Sequence, residues 1–159
     1  MKQAKKIITR MLINNWGGIS HRMMEFHEYV NLFSGKSGSG KSTVMDAIQV
    51  VLYGSMSASF LNKAADDAKN RRSVMSYLRG EQKDGTANRG GQDFGSTLVL
   101  EIKDTGSGIT TCFGVLFEIG RADTDINGKY TFFSHSGSMP EDEYLSLIHI
   151  SEPTRHLRI

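Results

Sequence analysis

The residues best able to do chemistry lie in one glycine-rich stretch, GKSGSGKS at residues 35–42. It fits the pattern G-x-x-x-x-G-K-[ST], in which glycines let successive backbone N–H groups curl around phosphates. Only one register is possible, because Lys36 would need its leading glycine at position 30, which is Val30. In that register Lys41 supplies a full positive charge for the terminal phosphates, and the Ser42 hydroxyl is suited to ligate Mg²⁺.

The flanking patterns favour this interpretation over the alternative of a chance glycine-serine linker. The apolar run at 30–34 predicts a strand that leads into the loop, and apolar residues recur at helical spacing from Val44 to Leu52. They predict a helix over 41–53 that ends at Gly54, with about half a positive charge at its N-terminus. The residues predicted to contact a nucleotide are Gly35, Lys36, Ser37, Gly38, Ser39, Gly40, Lys41, Ser42 and Thr43, with Ser42 also the metal ligand.

The elements around the loop predict an α/β fold. Residues 7–16 and 23–29 alternate as strands do, and residues 69–79 favour a helix. Residues 80–95 are polar and glycine-rich, which is typical of a flexible surface loop. Three alternating segments follow and predict an antiparallel meander; they are 98–102, 113–119 and 129–134.

Composition sets the broad class. A chain of 159 residues that is 38% hydrophobic and 23% charged suits one soluble globular domain. The net charge of +2 is too weak to argue for a nucleic-acid partner by itself. The single cysteine, Cys112, predicts a reducing compartment and a small buried side chain, and no apolar run approaches the ~20 residues of a membrane span. We therefore expect a cytoplasmic protein with no membrane partner, and the five histidines show no metal-ligand spacing.

Short segments beside the loop carry a family resemblance. NWGGI at 15–19, MEF at 24–26, DAI at 46–48 and LYG at 52–54 resemble the N-terminal head of SMC-like ATPases of the ABC superfamily. FLNKAA at 60–65 and SYLRG at 76–80 look like the MukB/MksB branch, especially the Wadjet-type plasmid-defence subunit. The resemblance covers roughly residues 7–144, and it is strongest at the loop.

The resemblance implies an incomplete P-loop NTPase fold, the N-terminal lobe of an ABC/SMC-type head over residues 1–144. Such a head binds Mg-ATP, pairs with a second head as a homodimer of the parent protein, and acts on DNA in entrapment, chromosome or plasmid maintenance, or plasmid defence. Kleisin-like and accessory subunits are further expected partners. The resemblance also implies a C-terminal lobe of the head, which we expect to lie outside this chain.

Two segments superficially resemble the missing catalytic elements. LVLE at 98–101 resembles a Walker B strand but lacks its acidic pair, and it predicts an ordinary half-exposed strand. RGGQ at 89–92 resembles a signature loop but lacks the preceding serine, and it predicts a polar loop. No catalytic residue is therefore predicted, and we expect an ATPase parent whose fragment does not hydrolyse ATP at family rates.

The last residues, 145–159, are expected to be a non-native tail. Their sequence LSLIHISEPTR resembles a translated sequencing-adapter string, and the alternative is a genuine strand and turn.

Several side chains keep two interpretations. Trp16 either stacks near a nucleotide base or fills the core, and Arg79 either reaches phosphate or DNA or lies on a solvated helix face. Asp46, one helical turn after Ser42, is expected to cap or pack rather than bind metal. A basic cluster is expected either to touch DNA phosphates or to be plain surface charge; it comprises Lys63, Lys69, Arg71 and Arg72.

Two other functional classes remain open. A stand-alone P-loop kinase or GTPase would need parallel strands joined by helices, which the predicted hairpins disfavour. A non-enzymatic DNA-binding or dimerisation module would bind DNA in a salt-dependent way without responding to ATP.

Overall fold

The computed structural model describes residues 3–57, 61 and 72–140, which form a five-stranded antiparallel sheet and two helices. The strand order across the sheet is β2-β1-β3-β4-β5. In chain order the elements are β1 (Lys6–Trp16), β2 (Ile19–Glu25), α1 (Lys41–Tyr53), α2 (Val74–Arg79), β3 (Phe94–Asp104), β4 (Thr110–Ile119) and β5 (Tyr130–Ser136).

The structure confirms the first strand, the helix after the loop and the C-terminal meander. Helix α1 begins at Lys41 and ends at Tyr53, as predicted, and Gly54 closes it in the left-handed region with φ 59°. The Gly54 N–H donates to the Val50 carbonyl at 3.1 Å. Pairing of β1 with β3, in register Leu12↔Val99, joins the hairpin of β1 and β2 to the meander in one sheet.

One sheet face packs against α1 and forms the main core. Val44, Ala47, Ile48 and Val51 recur at helical spacing, so one side of α1 is buried. The sheet contributes every second residue of its central strands, because side chains alternate between faces. These strand residues are Met11, Ile13, Leu98, Leu100, Val115, Phe117 and Ile119.

The opposite face of the sheet is also covered near its centre. Leu12, Val99, Cys112 and Met139 form a second buried cluster there. Strand β3 is therefore buried on both faces, and the prediction of a half-exposed strand at 98–101 is wrong. The prediction that Cys112 is a small buried residue is confirmed.

Glu101 lies at the edge of this second cluster and is only 6% exposed. Arg10 donates to it from Nε at 3.0 Å and from Nη2 at 2.5 Å, Thr9 Oγ1 donates at 2.8 Å, and the Met139 N–H donates at 2.8 Å. Burial raises the pKa of the Glu101 carboxyl, but the donors from Arg10, Met139 and Thr9 outweigh burial and lower it to about 2. Glu101 thus fastens the segment after β5 to the sheet and has a structural role.

A pH-dependent contribution to stability follows from this carboxylate. Its folded pKa of about 2 lies below the ordinary 4.5, so its contribution is complete above pH 4.5 and is lost as pH falls towards 2. We expect Glu101→Gln to lower the urea midpoint at pH 7, and the gap from the wild type to narrow below pH 4.5. The exposed Glu118→Gln is the matched control with little effect. An undiminished gap at pH 2.5 would contradict the assignment.

Three predicted elements differ from the observed ones. The run at 30–34 is not a strand: Val30 and Leu32 are 77% and 87% exposed, and no other strand in the described residues pairs with it. A strand needs a neighbour to satisfy its backbone groups, so the apolar run alone does not produce one. Strand β2 lies earlier than predicted, at 19–25, because its pairing with β1 starts at the Gly17 turn. Helix α2 begins at Val74, with Ser73 as its N-cap.

Candidate phosphate-binding loop

Residues 35–42 form a loop that closes around the Lys41 ammonium group. Lys41 Nζ donates to the Gly35 carbonyl at 2.7 Å, to the Lys36 carbonyl at 2.9 Å and to Ser39 Oγ at 3.3 Å. The Ser39 N–H donates to the Lys36 carbonyl at 3.1 Å and closes a turn within the loop. A full positive charge is therefore held against the backbone of the loop, where it remains partly accessible to solvent.

The loop glycines are required by its geometry. A Cβ on Gly35 would lie 2.5 Å from Ser39 Oγ and 4.0 Å from Lys41 Nζ, so any side chain there would fill the space beside the ammonium. Gly38 and Gly40 have φ of 83° and 91°, a region that residues with a side chain rarely adopt. The loop is thus a cradle of exposed backbone around one cation, which fits a phosphate group.

The N-terminus of α1 continues this cradle. Gly40 is its N-cap and has no side chain, so no side-chain hydrogen bond caps the helix. The first N–H groups of a helix have no partner within it, and the helix dipole favours an anion there. Ser42 is exposed in the first turn, whereas the Thr43 side chain is buried, so Thr43 can offer a ligand only its backbone.

The turn between β1 and β2 fixes the position of α1. Trp16 Nε1 donates to the Thr43 carbonyl at 3.0 Å, and a Cβ on Gly17 would lie 2.6 Å from Thr43 Cγ2. Asn15 has a positive φ of 52°, and its Nδ2 donates to the Gly95 carbonyl at 2.8 Å. The NWGG sequence therefore builds the turn on which the loop helix rests.

Trp16 is a core residue. It is 0% exposed, stacks on Tyr77 with ring centroids 4.8 Å apart, and lies 6.3 Å from Phe117. The interpretation that Trp16 stacks near a nucleotide base is wrong, because its ring is already covered by these aromatic neighbours.

Asp46 is buried at 3% exposure and accepts a short hydrogen bond from the Tyr77 hydroxyl. Burial first, and then the Asp46 carboxylate, raise the pKa of Tyr77 above its ordinary value, so the phenol stays protonated and donates. The prediction that Asp46 packs instead of binding metal agrees with this contact. Tyr77 was not singled out from the sequence, because 31 residues separate it from Asp46.

Removing the Tyr77 hydroxyl tests this contact. Tyr77→Phe keeps the ring on Trp16 but takes a donor from a buried carboxylate, so we expect a loss of about 1–3 kcal/mol in the free energy of unfolding. The exposed Tyr53→Phe is the matched control, for which we expect a change within about 0.5 kcal/mol. Equal urea midpoints for Tyr77→Phe and the wild type would rule out a stabilising bond.

Arg79 and Arg89 correct two sequence predictions. Arg79 is 7% exposed and donates to the carbonyls of Arg89, Gln92, Gly120, Arg121 and Asp123. Arg89, also 7% exposed, donates to the carbonyls of Leu78, Gly17 and Tyr77.

Neither arginine is available to phosphate or DNA, and Arg79 does not lie on a solvated helix face. The segment 80–95 is not a free surface loop either. Arg79 of α2 binds two of its carbonyls and those of residues 120–123, and Arg89 within the segment binds carbonyls of α2 and the Gly17 turn.

The basic cluster and the C-terminal tail that the sequence singled out lie almost entirely outside the described residues. Lys63, Lys69 and Arg71 lie outside the described residues, as do residues 145–159, while Arg72 sits over the Tyr77 ring at 5.5 Å. Among the described residues, His, Cys, Asp and Glu form no group of three or more able to hold a metal ion. None of the helices in the described ranges has the length and apolarity needed to cross a membrane.

Comparison with known proteins supports the class that the loop suggests. Residues 8–68 match the family described as the P-loop containing region of AAA domain, a match that includes most of β1 and all of β2, the loop and α1. The match covers less than half of the chain and supports the P-loop ATPase superfamily, whose members bind a nucleotide and usually Mg²⁺.

One curated relative is similar to part of the chain. The chain is 36% identical over 74 residues to a subunit of the nuclease SbcCD from Staphylococcus haemolyticus. The alignment covers 44% of this chain but 6% of that protein.

Proposed function

We propose that residues 1–144 are the Mg-ATP-binding N-terminal lobe of an SMC-like ATPase head. The observation that carries the proposal is the Lys41 ammonium held between the Gly35 and Lys36 carbonyls at the uncapped start of α1. Backbone N–H groups of residues 35–43 would bind the phosphates, and Lys41 would add charge to the terminal ones. The match of residues 8–68 to a P-loop region supports this assignment.

Ser42 is the proposed metal ligand. Its side chain is exposed in the first turn of α1, immediately after Lys41, so its hydroxyl is accessible to Mg²⁺ held by phosphate oxygens. Magnesium, when bound, neutralises charge on the phosphates. The chain's own part is to position that ion with one hydroxyl.

The Mg²⁺ dependence of ATP binding tests this role. We expect Ser42→Ala to lose most of the affinity that Mg²⁺ adds, a change of about tenfold, while its affinity in EDTA stays near the wild-type value. Ser37→Ala, an exposed serine in the same loop, is the matched control and should keep the full Mg²⁺ effect. Isothermal titration with and without Mg²⁺ measures all three proteins. A normal Mg²⁺ effect in Ser42→Ala would refute the ligand assignment.

The exposed apolar surface beside the loop supports an incomplete head. Val30 and Leu32 lead into the loop almost fully exposed, and Met45 and Leu52 are exposed on the outer side of α1 at 43% and 52%. Met45 and Leu52 are seven residues apart and share one side of α1, and exposed apolar side chains gathered in this way mark an interface. We assign it to the C-terminal lobe of the head, whose strands would pair with residues 30–34. The chain spans 6% of the length of its curated relative, which leaves ample sequence for such a lobe.

Binding without turnover follows from the same assignment. The loop supplies phosphate contacts but no group that would position an attacking water, and Asp46 is engaged with Tyr77. We therefore expect ATP binding with no phosphate release above background from the 159-residue chain. Steady turnover that the Lys41→Ala variant lacks would contradict this expectation.

The DNA-directed role belongs to the parent protein in this proposal. It rests on the resemblance to SMC-like heads of the MukB/MksB and Wadjet branch and on the similarity to a protein named as part of a nuclease. A second head, kleisin-like subunits and a cytoplasmic location are proposed with it. DNA binding by the full-length parent that depends on ATP and on Lys41 would support the role. DNA binding indifferent to both would favour the non-enzymatic module.

A further inference from the structure

Strand β5 is an edge of the sheet with an unusual lack of charge. Its sequence YTFFSHS contains no Lys, Arg, Asp, Glu or Pro. Edge strands are normally protected from pairing by such residues, and β2, at the other edge, carries Arg22 and Glu25. Edge β5 therefore lacks the usual protection.

The hydrogen-bond pattern shows which backbone groups of β5 face outwards. The Glu118 N–H donates to the Lys129 carbonyl at 2.9 Å, and the Gly137 N–H donates to the Thr110 carbonyl at 2.8 Å. Because bonded pairs alternate along an antiparallel ladder, the odd-numbered residues of β5 face β4. The N–H and C=O groups of Tyr130, Phe132 and Ser134 face away, and they meet no further strand in the described part of the chain.

An aromatic patch borders the same edge. Phe113, Tyr130 and Phe132 lie on the sheet face that carries α1, and they are 42%, 38% and 40% exposed. Phe113 and Phe132, together with Val51 of α1, border a groove of about 320 Å³. Helix α1 packs against β1, β3 and β4, and on the β4–β5 side of this face Phe113, Tyr130 and Phe132 remain partly exposed.

We propose that β5 pairs with β5 of a second copy of this chain, antiparallel about a two-fold axis at Phe132. This register sets Phe132 opposite Phe132 of the other copy and Tyr130 opposite Ser134. All outward groups of these residues are then satisfied by roughly six hydrogen bonds, and the two aromatic patches become continuous.

Charge does not oppose this pairing. The only side chain in β5 that can carry a positive charge is His135, and the neighbouring Lys129 is paired within its own chain, with its Nζ 3.2 Å from Asp123 Oδ1. Pairing two copies through β5 therefore brings no uncompensated like charges together. Pairing through β2 would do so, because that strand carries charged side chains.

The size of the patch predicts weak association. An aromatic side chain offers about 200 Å², so three of them about two-fifths exposed bury roughly 250 Å² per copy, well below the ~800 Å² of a stable interface. We expect a dissociation constant on the order of 10–100 µM. The proposal is independent of nucleotide binding, because no loop residue lies in β5.

Sedimentation equilibrium of the 159-residue chain from about 5 to 500 µM tests the proposal. We expect the mass to rise from that of the 17.6 kDa monomer towards twice that value. Ser134→Pro removes one outward N–H and leaves the β4 ladder intact, and we expect it to weaken association at least tenfold. We expect Phe132→Lys to weaken association to a similar degree, because it places a charge in the aromatic patch. Ile109→Lys is the matched control, an exposed apolar residue outside β5, and should not change the association.

Several results would overturn the proposal. One is a monomer at every concentration, which would mean that β5 pairs instead with a strand from elsewhere in a longer chain. Another is association that survives both β5 substitutions. Equal weakening by Ile109→Lys, or growth beyond a dimer, would also overturn it. Circular dichroism and urea unfolding of each variant establish that it is folded, and Phe132→Lys keeps the test decisive if Ser134→Pro does not fold.

Discussion

Lys41→Ala is expected to weaken Mg-ATP binding about 100-fold or more. The ammonium is the charged donor at the centre of the loop, where it contacts the Gly35 and Lys36 carbonyls. Hydrogen bonds from a charged donor contribute about 1.5–3 kcal/mol each, and about 1.4 kcal/mol is a factor of ten in Kd. Loss of two phosphate contacts is therefore enough for the expected change, which fluorescence titration with a labelled ATP analogue measures.

Lys36→Ala is the matched control for this prediction. Both lysines lie in the loop and both substitutions remove one positive charge, but Lys36 is exposed and contributes to the loop through its carbonyl. We expect its Kd to change by less than about threefold at about 0.15 M salt. Equal losses in the two variants would mean that only net charge matters, and unchanged affinity in Lys41→Ala would refute the assignment of the loop.

Arg79→Ala is expected to be the most destabilising single substitution outside the apolar core. The guanidinium Nη1 donates to the Arg89 and Gln92 carbonyls at 3.0 and 3.1 Å, and Nη2 donates to the Gly120 carbonyl at 2.7 Å. Truncation leaves these carbonyls without their donor, so we expect a loss of about 3–5 kcal/mol in the free energy of unfolding. Urea denaturation followed by circular dichroism measures it.

Arg121→Ala serves as the control for Arg79→Ala. Arg121 pairs with Asp93 at 3.0 Å, but the two side chains are 73% and 60% exposed. Exposed pairs contribute about 0–1 kcal/mol, so we expect a small change. A loss of less than about 1 kcal/mol in Arg79→Ala would show that solvent replaces the guanidinium and that the arginine does not hold the loops together.

Local patterns predicted the parts of the molecule that depend on local interactions. Helix α1 follows from apolar spacing and a terminal glycine, and the tight loop at 35–42 follows from glycine, lysine and serine spacing, because both are specified within about 20 residues. Phosphate binding by this loop stays a prediction. The antiparallel meander of β3, β4 and β5 could be predicted as well, since alternation and turn residues define each of its strands. For these elements the sequence neighbours are also the structural neighbours.

The failures share a dependence on distant partners. Residues 30–34 have the composition of a buried strand, but pairing requires a neighbour that the described chain does not supply. Arg79 has the charge of a solvated residue, yet its acceptors lie 10 to 44 residues further along the chain. The hydrogen bond between Asp46 and Tyr77 likewise joins residues that are 31 positions apart in the sequence. The spacing of apolar residues within α1 or α2 does not predict contacts between residues so far apart in the sequence.

The pairing of β1 with β3 has a consequence for the order in which the molecule is made. Residue 41 leaves the ribosome long before residues 94–104, at a synthesis rate of about 5–20 residues per second. During those several seconds the hairpin of β1 and β2 is the only part of the sheet available to pack against α1 and its loop. The loop that we propose for nucleotide binding therefore reaches its final position late in translation, when strand β3 is made and completes the sheet beneath α1.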